Sequence, residues 1–457
     1  MELMSSYDVQ IKDIDFNIKE TIDIYREAVA FCIDVCNKEW ENIIVFKKDF
    51  DKKAFIEDLI HSTKSNKAKY EFDTKFYKFP SYLRRDVIAE AFGCVSSYKS
   101  NLANWQTNKV GKEPTLTMDR NLMPVFYRKN MYSTSDNPYE CQIKVYLNKD
   151  WVWRTIKFVK TDVKYIEKHL ANVMPSAPTL ERRFGTYYLR FAFKEIVFLK
   201  NEEAINRKIC SVDLGLNSDA VCTIMTADGT VHARKFINFA CEKDHLWHVC
   251  NRIKKQQRKY GPQSVKKMWS YATHLNEELS AKIAAAIVEF ADSHDVDVIV
   301  FEHLDMKGKK SGRNAQRLHL WRKNGIQNIA THKAHKKGIR ISRICAWKTS
   351  KLAFDGSGEV DRDENNHALA TFKSGKRYNC DLNASYNIGA RYFIRELLTT
   401  ETSRASVKTG TYLKPLTEKL RSQLVAKVPE VERRTSCTYS TLKQLNQALK
   451  ELGVIAA

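Results

Sequence analysis

The sequence predicts an α+β protein made of several domains. Two patterns indicate this fold class. Apolar residues recur at helical spacing up to about residue 117, and from Leu122 they alternate with polar residues at the two-residue period of strands. Beyond residue 205, short apolar strands are interspersed with long amphipathic helices. A chain of 457 residues with 43% hydrophobic content is long enough for two or three domains, each with its own core.

The N-terminal part predicts a strand, a helical segment and then more strands. An alternating segment from Tyr7 to Ile14 gives the first strand, a long amphipathic helix follows, and Pro80 opens a second long helix. Later strands are expected at Met123–Tyr127, Cys141–Leu147, Val152–Val159 and Thr186–Leu199. The strands after Leu122 therefore predict a small antiparallel barrel or sandwich.

A lone carboxylate marks the start of the next domain. Asp213 lies in the apolar stretch Lys208–Asn217, where an isolated charge costs several kcal/mol unless it is paired or binds a metal ion. A second strand follows at Ala220–Met225, and after an Asp-Gly turn a third at Val231–Phe239. Three antiparallel strands with an aspartate on the first are how an RNase H-type nuclease core begins.

Two further carboxylates complete a candidate site. Glu302 ends the apolar strand Asp297–Glu302, and Asp381 opens a helix whose small residues Ala384, Ser385 and Gly389 permit close packing on a sheet. Three carboxylates from separate elements can hold two divalent cations roughly 3.5–4 Å apart for phosphodiester hydrolysis. Mg²⁺ suits such an all-oxygen site, and Mn²⁺ can substitute. Asp213, Glu302 and Asp381 are therefore the candidate catalytic residues and metal ligands.

These motifs resemble a known nuclease family. The segment Asp381–Ile388 reads Asp-Leu-Asn-Ala-Ser-Tyr-Asn-Ile, close to the signature Asp-x-Asn-Ala-x-x-Asn-Ile, and Thr349-Ser350 also matches. Together with the order Asp, Glu, Asp, they resemble the RuvC-type nuclease domain of TnpB proteins and the compact type V CRISPR effectors. The resemblance covers about Ile209 to Glu396.

The resemblance implies a domain order. It predicts a wedge-type β-barrel of residues 1–16 and 118–205, interrupted by a helical recognition lobe of residues 17–117. A RuvC-like, RNase H-like nuclease domain with a mixed sheet flanked by helices should follow. We assign residues 206–398 to that nuclease domain, residues 346–379 to a nucleic-acid-binding insert within it, and residues 399–457 to a C-terminal extension.

The resemblance also implies a function. The expected activity is RNA-guided DNA cleavage, in which pairing to a guide RNA beside a short duplex motif selects double-stranded target DNA that is unwound to single strands. The residues leave two alternatives open: an RNA-independent junction resolvase or transposase, and a nuclease-weak RNA-guided repressor. Whether the protein acts with a transposon or with CRISPR, and whether it is a monomer or a dimer, stays open.

The insert departs from the family in two ways. Val360–Asn365 also looks like the third motif, but no small-residue helix follows it, so we assign the third ligand to Asp381. The family usually carries a zinc ribbon here, whereas between Thr349 and Asp381 only His367 and Cys380 are candidate ligands, so no structural zinc is expected. Packing should hold the insert instead, through Leu352, Phe354, Val360, Leu369, Phe372 and Tyr378.

The charge of the chain indicates a nucleic-acid partner. Lysine and arginine number 76 against 54 acidic residues, a net charge of +22. A membrane-surface role is the competing explanation, but no apolar stretch of about 18 residues occurs, and we expect a cytoplasmic protein that is nucleoid-associated when bound to DNA. Candidate contacts, which could equally be a solvated surface, are Lys254, Lys255, Arg258, Lys310, Arg313, Arg317, Arg322, Lys373, Lys376 and Arg377.

The cysteines do not indicate a second site. There are 11 of them, mostly in apolar segments, and we expect them to be reduced and buried. Cys241, His245, His248 and Cys250 could form a metal cluster, but they share one predicted helix on which all four cannot face one point.

Overall fold

The structure is a computed structural model that describes residues 1–170, 173–183, 185–216, 218–303, 322–363, 366, 368–399, 417–433 and 435–455. It divides into two compact units, one of residues Glu2–Glu195 and the other of Met1 with Ile196–Ala457. No helix in the described part of the chain is long and apolar enough to cross a membrane.

The first unit contains a curled, half-barrel sheet. Its strands are β1 (Glu2–Asp13), β2 (Tyr132–Thr134), β3 (Glu140–Leu147), β4 (Asp150–Phe158), β5 (Thr179–Arg183) and β6 (Thr186–Ile196), in the order β2-β3-β4-β1-β6-β5. The predicted alternation is confirmed in β3, where Cys141, Ile143 and Val145 are buried between more exposed neighbours. The half-barrel is the part of the predicted barrel that the structure shows.

One predicted strand in this unit is wrong. Around Met123–Tyr127 the described residues form only isolated bridges, such as that between Val125 and Thr179. Pro124 has no backbone N–H and cannot donate to a ladder, so it disfavours a regular strand there. Strand β5 and a helix just before it were missed by the sequence analysis.

The helices of the first unit are α1 (Lys19–Lys38), α2 (Trp40–Ile43), α3 (Asp49–Ile60), α4 (Phe72–Lys75), α5 (Ser81–Asn108) and α6 (Lys160–Leu170). The predicted long helices correspond to α1 and α5. They contact each other through apolar stripes and through one half-buried carboxylate: the Asp86 side chain accepts hydrogen bonds from Tyr25 Oη at 2.8 Å and Tyr127 Oη at 3.1 Å. Burial raises the pKa of Asp86, while the two hydroxyl donors lower it.

The second unit is built on a mixed five-stranded sheet. Its strands are β7 (Lys208–Asp213), β8 (Ala220–Thr226), β9 (Val231–Ile237), β10 (Val298–His303) and β11 (Arg340–Cys345), in the order β11-β10-β7-β8-β9. The hairpin-connected strands β7, β8 and β9 are antiparallel, whereas β10 is parallel to both β7 and β11. A mixed sheet flanked by helices was predicted from the sequence and is confirmed.

Helices cover both faces of this sheet. They are α7 (Ala240–Tyr260), α8 (Lys266–Ser293), α9 (Lys323–Lys336), α10 (Cys380–Leu397), α11 (Glu418–Lys427) and α12 (Tyr439–Glu451), with 3₁₀ turns at Pro262–Val265 and Pro429–Glu432. Alternate residues of β10 point to opposite faces: Ile299 and Phe301 belong to the core with α8 and α9, and Val298 and Val300 to the core with α10 and α12. The sheet is therefore buried on both sides.

The insert is a small three-stranded sheet of β12 (Asp361–Arg362), β13 (Leu369–Thr371) and β14 (Arg377–Asn379). Its own core contains Ala353, Ala370, Phe372 and Cys380, with Phe354, Val360 and Tyr378 packed against it. Apolar packing across a hairpin was predicted for this segment, and the observed core agrees with it.

The C-terminal helices belong to the core of the second unit. Leu424 of α11 and Leu442, Leu445 and Leu449 of α12 are buried in the same cluster as Ile388 and Phe393 of α10. The sequence indicated an amphipathic last helix without a role, and the structure gives it one: α12 covers the helix that carries Asp381.

Candidate active site

Asp213 and Glu302 come together because of strand register. Strands β7 and β10 are parallel, and Val212 pairs with Phe301. Both of these residues point into the core with α8. The next residues, Asp213 and Glu302, therefore lie side by side on the opposite face of the sheet, where α10 packs.

Asp381 reaches the same place from the first turn of α10. Asn379 caps this helix, with its side chain accepting a hydrogen bond from the Leu382 amide at 2.9 Å. The small residues allow the predicted close packing on the sheet: Ser385 Oγ lies 2.6 Å from Thr223 Oγ1, and a Cβ at Gly389 would lie 3.1 Å from Ser211 Oγ. The same tight packing brings Asp381 Oδ2 within 3.7 Å of where a Cβ would lie on Gly215, two residues after Asp213.

The three carboxylates influence one another electrostatically. Burial raises the pKa of Asp213, and the negative charges of Glu302 and Asp381 raise it further. Burial also raises the pKa of Glu302 and of Asp381. A cluster of carboxylates that resist ionisation in this way is a candidate for cation binding or acid–base chemistry.

The donor chemistry fits a divalent cation, although the side chains do not converge on one point. Within the described residues, no three His, Cys, Asp or Glu side chains are grouped closely enough to hold a metal ion. Like charges that face one another without a cation repel, so rotamers that keep the oxygens apart are expected. The carboxylate oxygens are the ligand type that Mg²⁺ prefers, and its charge would relieve the repulsion that raises the pKa of Asp213.

Glu302 is held by the loop that leads to the insert. It is buried, and the hydroxyl of Thr349, itself buried, donates to Glu302 Oε1. This hydrogen bond and the nearby charge of Arg391 lower the pKa of Glu302 against the effect of burial. The Gln327 side-chain amide donates to the Glu302 backbone carbonyl at 2.9 Å, which fixes the strand end.

A ladder of polar side chains on α10, missed by the sequence analysis, supports that loop. Asn387 Nδ2 donates to the Thr349 carbonyl at 2.9 Å, and Asn387 Oδ1 accepts from the Tyr439 amide at 3.1 Å. A chain of hydrogen bonds thus runs from Glu302 through Thr349 and Asn387 to α12. The available signal was the spacing of Asn383, Asn387 and Arg391, which are four residues apart and so lie on one face of the helix.

Arg391 forms the last rung of this ladder. Its guanidinium donates to four backbone carbonyls, those of Cys345 at 3.1 Å, Trp347 at 2.7 Å, Thr435 at 2.8 Å and Cys437 at 3.0 Å. These carbonyls belong to the end of β11, to the residue Trp347 that follows it, and to the segment before α12. The Arg391 side chain therefore joins the loop that carries Thr349 to the C-terminal extension.

The segment set aside as an alternative third motif contributes a cation. Arg362, on β12 of Val360–Asn365, is exposed, and its charge lowers the pKa of both Asp213 and Asp381. It donates to Ser350 Oγ at 3.0 Å. Asp363 forms an ion pair with Arg377 at 3.0 Å. The negative charge of Asp381, by contrast, raises the pKa of Asp213. The sequence analysis had missed Arg362.

The predicted nucleic-acid contacts are dispersed over the second unit. Lys254, Lys255 and Arg258 are exposed on α7, and Lys373, Lys376 and Arg377 are exposed on the insert. Arg322 forms an ion pair with Glu277 at 2.9 Å. Lys310, Arg313 and Arg317 lie outside the described residues. Nucleic-acid binding by any of them stays a prediction. Cys241 is exposed and Cys250 buried on α7, so these two side chains point in different directions.

Comparison with protein families finds similarity over only part of the chain. A profile of the Aq_aa04 family matches residues 5–147, less than a third of the chain. None of the curated proteins matches.

Several solved structures are similar at low identity. A cryo-EM structure of a Cas12f1–sgRNA–target DNA complex is 15% identical with a TM-score of 0.45, covering 84% of this chain and 99% of that one. The mini-RNA-guided endonuclease CRISPR-Cas_phi3 is 11% identical with a TM-score of 0.47, covering 83% and 91%. CasPhi-2 (Cas12j) bound to crRNA is 7% identical with a TM-score of 0.41, covering 84% and 96%. At these values the function has to be argued from the residues of the site.

Proposed function

We propose that this chain is a metal-dependent DNA endonuclease of the RuvC, RNase H-like type, directed by a guide RNA. The observation that carries the nuclease is that strand register and the packing of α10 place Asp213, Glu302 and Asp381 on the same side of a mixed sheet, with the charges of the other two raising the pKa of Asp213. A sheet with order β11-β10-β7-β8-β9 and an aspartate on its first strand is the arrangement expected of an RNase H-type core.

The three carboxylates would hold two Mg²⁺ ions, or Mn²⁺ in their place. When bound, such ions supply an activated water and stabilise the leaving oxygen of the phosphodiester. The chain's own residues orient this site: the Thr349 hydroxyl fixes one oxygen of Glu302, and the Ser218 hydroxyl hydrogen-bonds Asp381. Arg362 is exposed beside the carboxylates, where its guanidinium can bind the scissile phosphate.

Guidance by RNA rests on two features of the sequence. The net charge of +22 calls for a polyanionic partner, and the segment Asp381–Ile388 resembles the signature of TnpB and the compact type V effectors. Of the similar structures named above, one is described with an sgRNA and target DNA and another with a crRNA. A protein of this kind would act in the cytoplasm and associate with the nucleoid when bound to DNA.

The nucleic acid that copurifies with the protein tests this proposal. We expect purification at low salt to retain a structured RNA whose sequencing reveals a constant scaffold and a variable guide. The RNA-loaded protein should cut DNA that matches the guide in Mg²⁺ or Mn²⁺, and RNase treatment should abolish cutting. The variant Asp213→Asn should still bind the matched DNA without cutting it.

Two results would replace the proposal. Sequence-dependent DNA cutting by RNA-free protein would indicate a junction resolvase or transposase. Binding of matched DNA with RNA, but without cutting in either metal, would indicate an RNA-guided repressor.

A further inference from the structure

A pocket of about 610 Å³ opens beside the turn that follows Asp213. Its walls come from that turn, from the start of α7, from the middle of α8 and from the start of α9. The apolar lining consists of Leu216, Leu246, Leu279, Ile283 and Ile326 together with Trp247. None of the carboxylates assigned to the active site lines it.

The pocket adjoins the carboxylate site through a single residue. Gly215 lines the pocket, and a Cβ on Gly215 would lie 3.7 Å from Asp381 Oδ2. The backbone of Gly215 therefore contacts both the pocket and the surroundings of Asp381, so a group bound in the pocket would lie close to a phosphate at the carboxylates.

The charge of the pocket favours a neutral ligand. Lys243 pairs with the buried carboxylate of Asp219 at 3.2 Å, so the charges of this cation and anion offset each other. Asp244 adds a second carboxylate to the lining, and Arg322 adds a second cation, which forms an ion pair with Glu277 at 2.9 Å. Because the positive and negative charges of the lining offset each other, a neutral group is the expected occupant.

Trp247 provides a surface for a flat, unsaturated ring. It lines the pocket with 39% of its surface exposed, which is high for so large an apolar side chain. Lys254 lies two turns further along α7 and places its Nζ 5.7 Å from the centre of the indole ring. The aromatic ring thus lies at the end of the exposed basic strip of Lys254, Lys255 and Arg258, where a nucleic-acid backbone would run.

We propose that this pocket receives an unpaired nucleobase of the DNA strand whose phosphate enters the carboxylate site. This inference rests on the proposed nuclease function. The base would stack on Trp247 above the apolar floor, and the exposed side-chain amide of Asn238 on the rim can hydrogen-bond to its edge. The pocket favours single-stranded over paired substrate, because a paired base would first have to be unpaired and unstacked, which costs free energy.

Binding of single-stranded DNA that carries one 2-aminopurine tests the proposal. The full-length chain is used as Asp213→Asn, which prevents cutting, and the fluorescence of 2-aminopurine falls when the base stacks on an aromatic ring. We expect quenching at one position of the oligonucleotide. Changing Trp247→Ala in this background should remove the quenching and weaken binding about tenfold. An abasic nucleotide at that position should weaken binding to the parent by a similar factor.

The matched control is Trp269→Ala. Trp269 is exposed to almost the same extent, 40%, and lies on α8 outside the pocket lining. This variant should quench and bind as the parent does. A second variant, Ala240→Leu, adds an aliphatic group at an exposed lining position without removing a contact, and it should also reduce the quenching. Thermal unfolding by circular dichroism identifies any variant that fails to fold.

The inference is overturned if folded Trp247→Ala and Ala240→Leu quench and bind as the parent does, or if Trp269→Ala weakens binding equally. Equal quenching in a duplex, or in RNA but not in DNA, would also contradict it. The nuclease proposal can fail separately. If the protein never cuts DNA with any metal but Trp247→Ala still removes the quenching, the base-binding pocket is supported and the nuclease function is not.

Discussion

Helix α10 and helix α7 lie in the same unit but hold their polar groups in opposite ways. On α10, Asn387 and Arg391 are buried, and each makes several hydrogen bonds to backbone groups of other segments. On α7, Lys254, Lys255 and Arg258 are exposed. The buried hydrogen bonds of α10 fix the position of the loop that carries Thr349. The exposed cations of α7 lie at the surface, where an anionic partner can bind.

The difference predicts how each region responds to mutation. A buried donor that is removed leaves acceptors without partners, at a cost of about 1–3 kcal/mol, and displaces whatever they held. An exposed cation contributes less than about 1 kcal/mol and is screened by salt. Single changes near α10 should therefore alter the rate of cutting, whereas changes on α7 should alter binding gradually.

The largest effect is expected from Asp381→Asn. Loss of one carboxylate should slow DNA cutting by at least about 10³-fold, because it removes a ligand of the metal ions that would stabilise the reacting phosphate. The melting temperature should not fall, since the change relieves repulsion among three carboxylates. The control is Asp363→Asn, which removes the partner of Arg377 and should cut at near the parent rate. The reverse outcome would make the Val360–Asn365 segment the third motif.

Arg362→Ala should have the next largest effect, a decrease in cutting rate of about 10²-fold if its guanidinium binds the scissile phosphate. Arg362 lowers the pKa of Asp213 and Asp381, so its removal raises both. Because a protonated carboxylate does not bind a cation, the acid limb of the pH–rate profile should move to higher pH. Lys351→Ala, which removes another exposed cation from the segment that contains Arg362, is the control. An unchanged acid limb in Arg362→Ala would exclude this role.

Asn387→Ala should slow cutting by about 10–100-fold, because the hydrogen bond that holds the Thr349 carbonyl is lost and the support of Glu302 with it. Stability should fall by about 1–3 kcal/mol. Asn446→Ala provides the comparison. This asparagine is also buried, and it donates to the Ala227 carbonyl at 2.7 Å, away from the loop that carries Thr349. We expect a similar loss of stability with a normal rate. Equal rate losses in both variants would reduce the ladder to a purely structural role.

The smallest effect is expected on α7. Replacing Lys254, Lys255 and Arg258 by alanine together should weaken nucleic-acid binding only a few-fold at moderate salt. The negative slope of the logarithm of the binding constant against the logarithm of the salt concentration should become shallower by up to about three. Lys282→Ala is a suitable control, because this exposed lysine is paired with Glu242 and Glu278. A loss of binding that is independent of salt would mean that these residues act through the fold and not through charge.

The sequence by itself determined the three candidate carboxylates and the strands and helix that carry them. Periodicity placed β7, β10 and α10, and the small residues Ser385 and Gly389 predicted the close approach of α10 to the sheet that the structure confirms. These features depend on neighbours within a few residues, so they can be read locally. The strand expected near Pro124 was wrong because one missing backbone donor outweighed the apolar pattern.

Only the tertiary structure decided what surrounds the carboxylates. Thr349 bonds to Glu302, Asn387 joins Thr349 to Tyr439, and the charge of Arg362 reaches Asp213 across more than a hundred residues of sequence. Periodicity carries no information about such pairs, because strand register and helix packing bring the partners together only after the chain has folded. The role of the C-terminal extension, whose α12 covers the helix that carries Asp381, was hidden for the same physical reason.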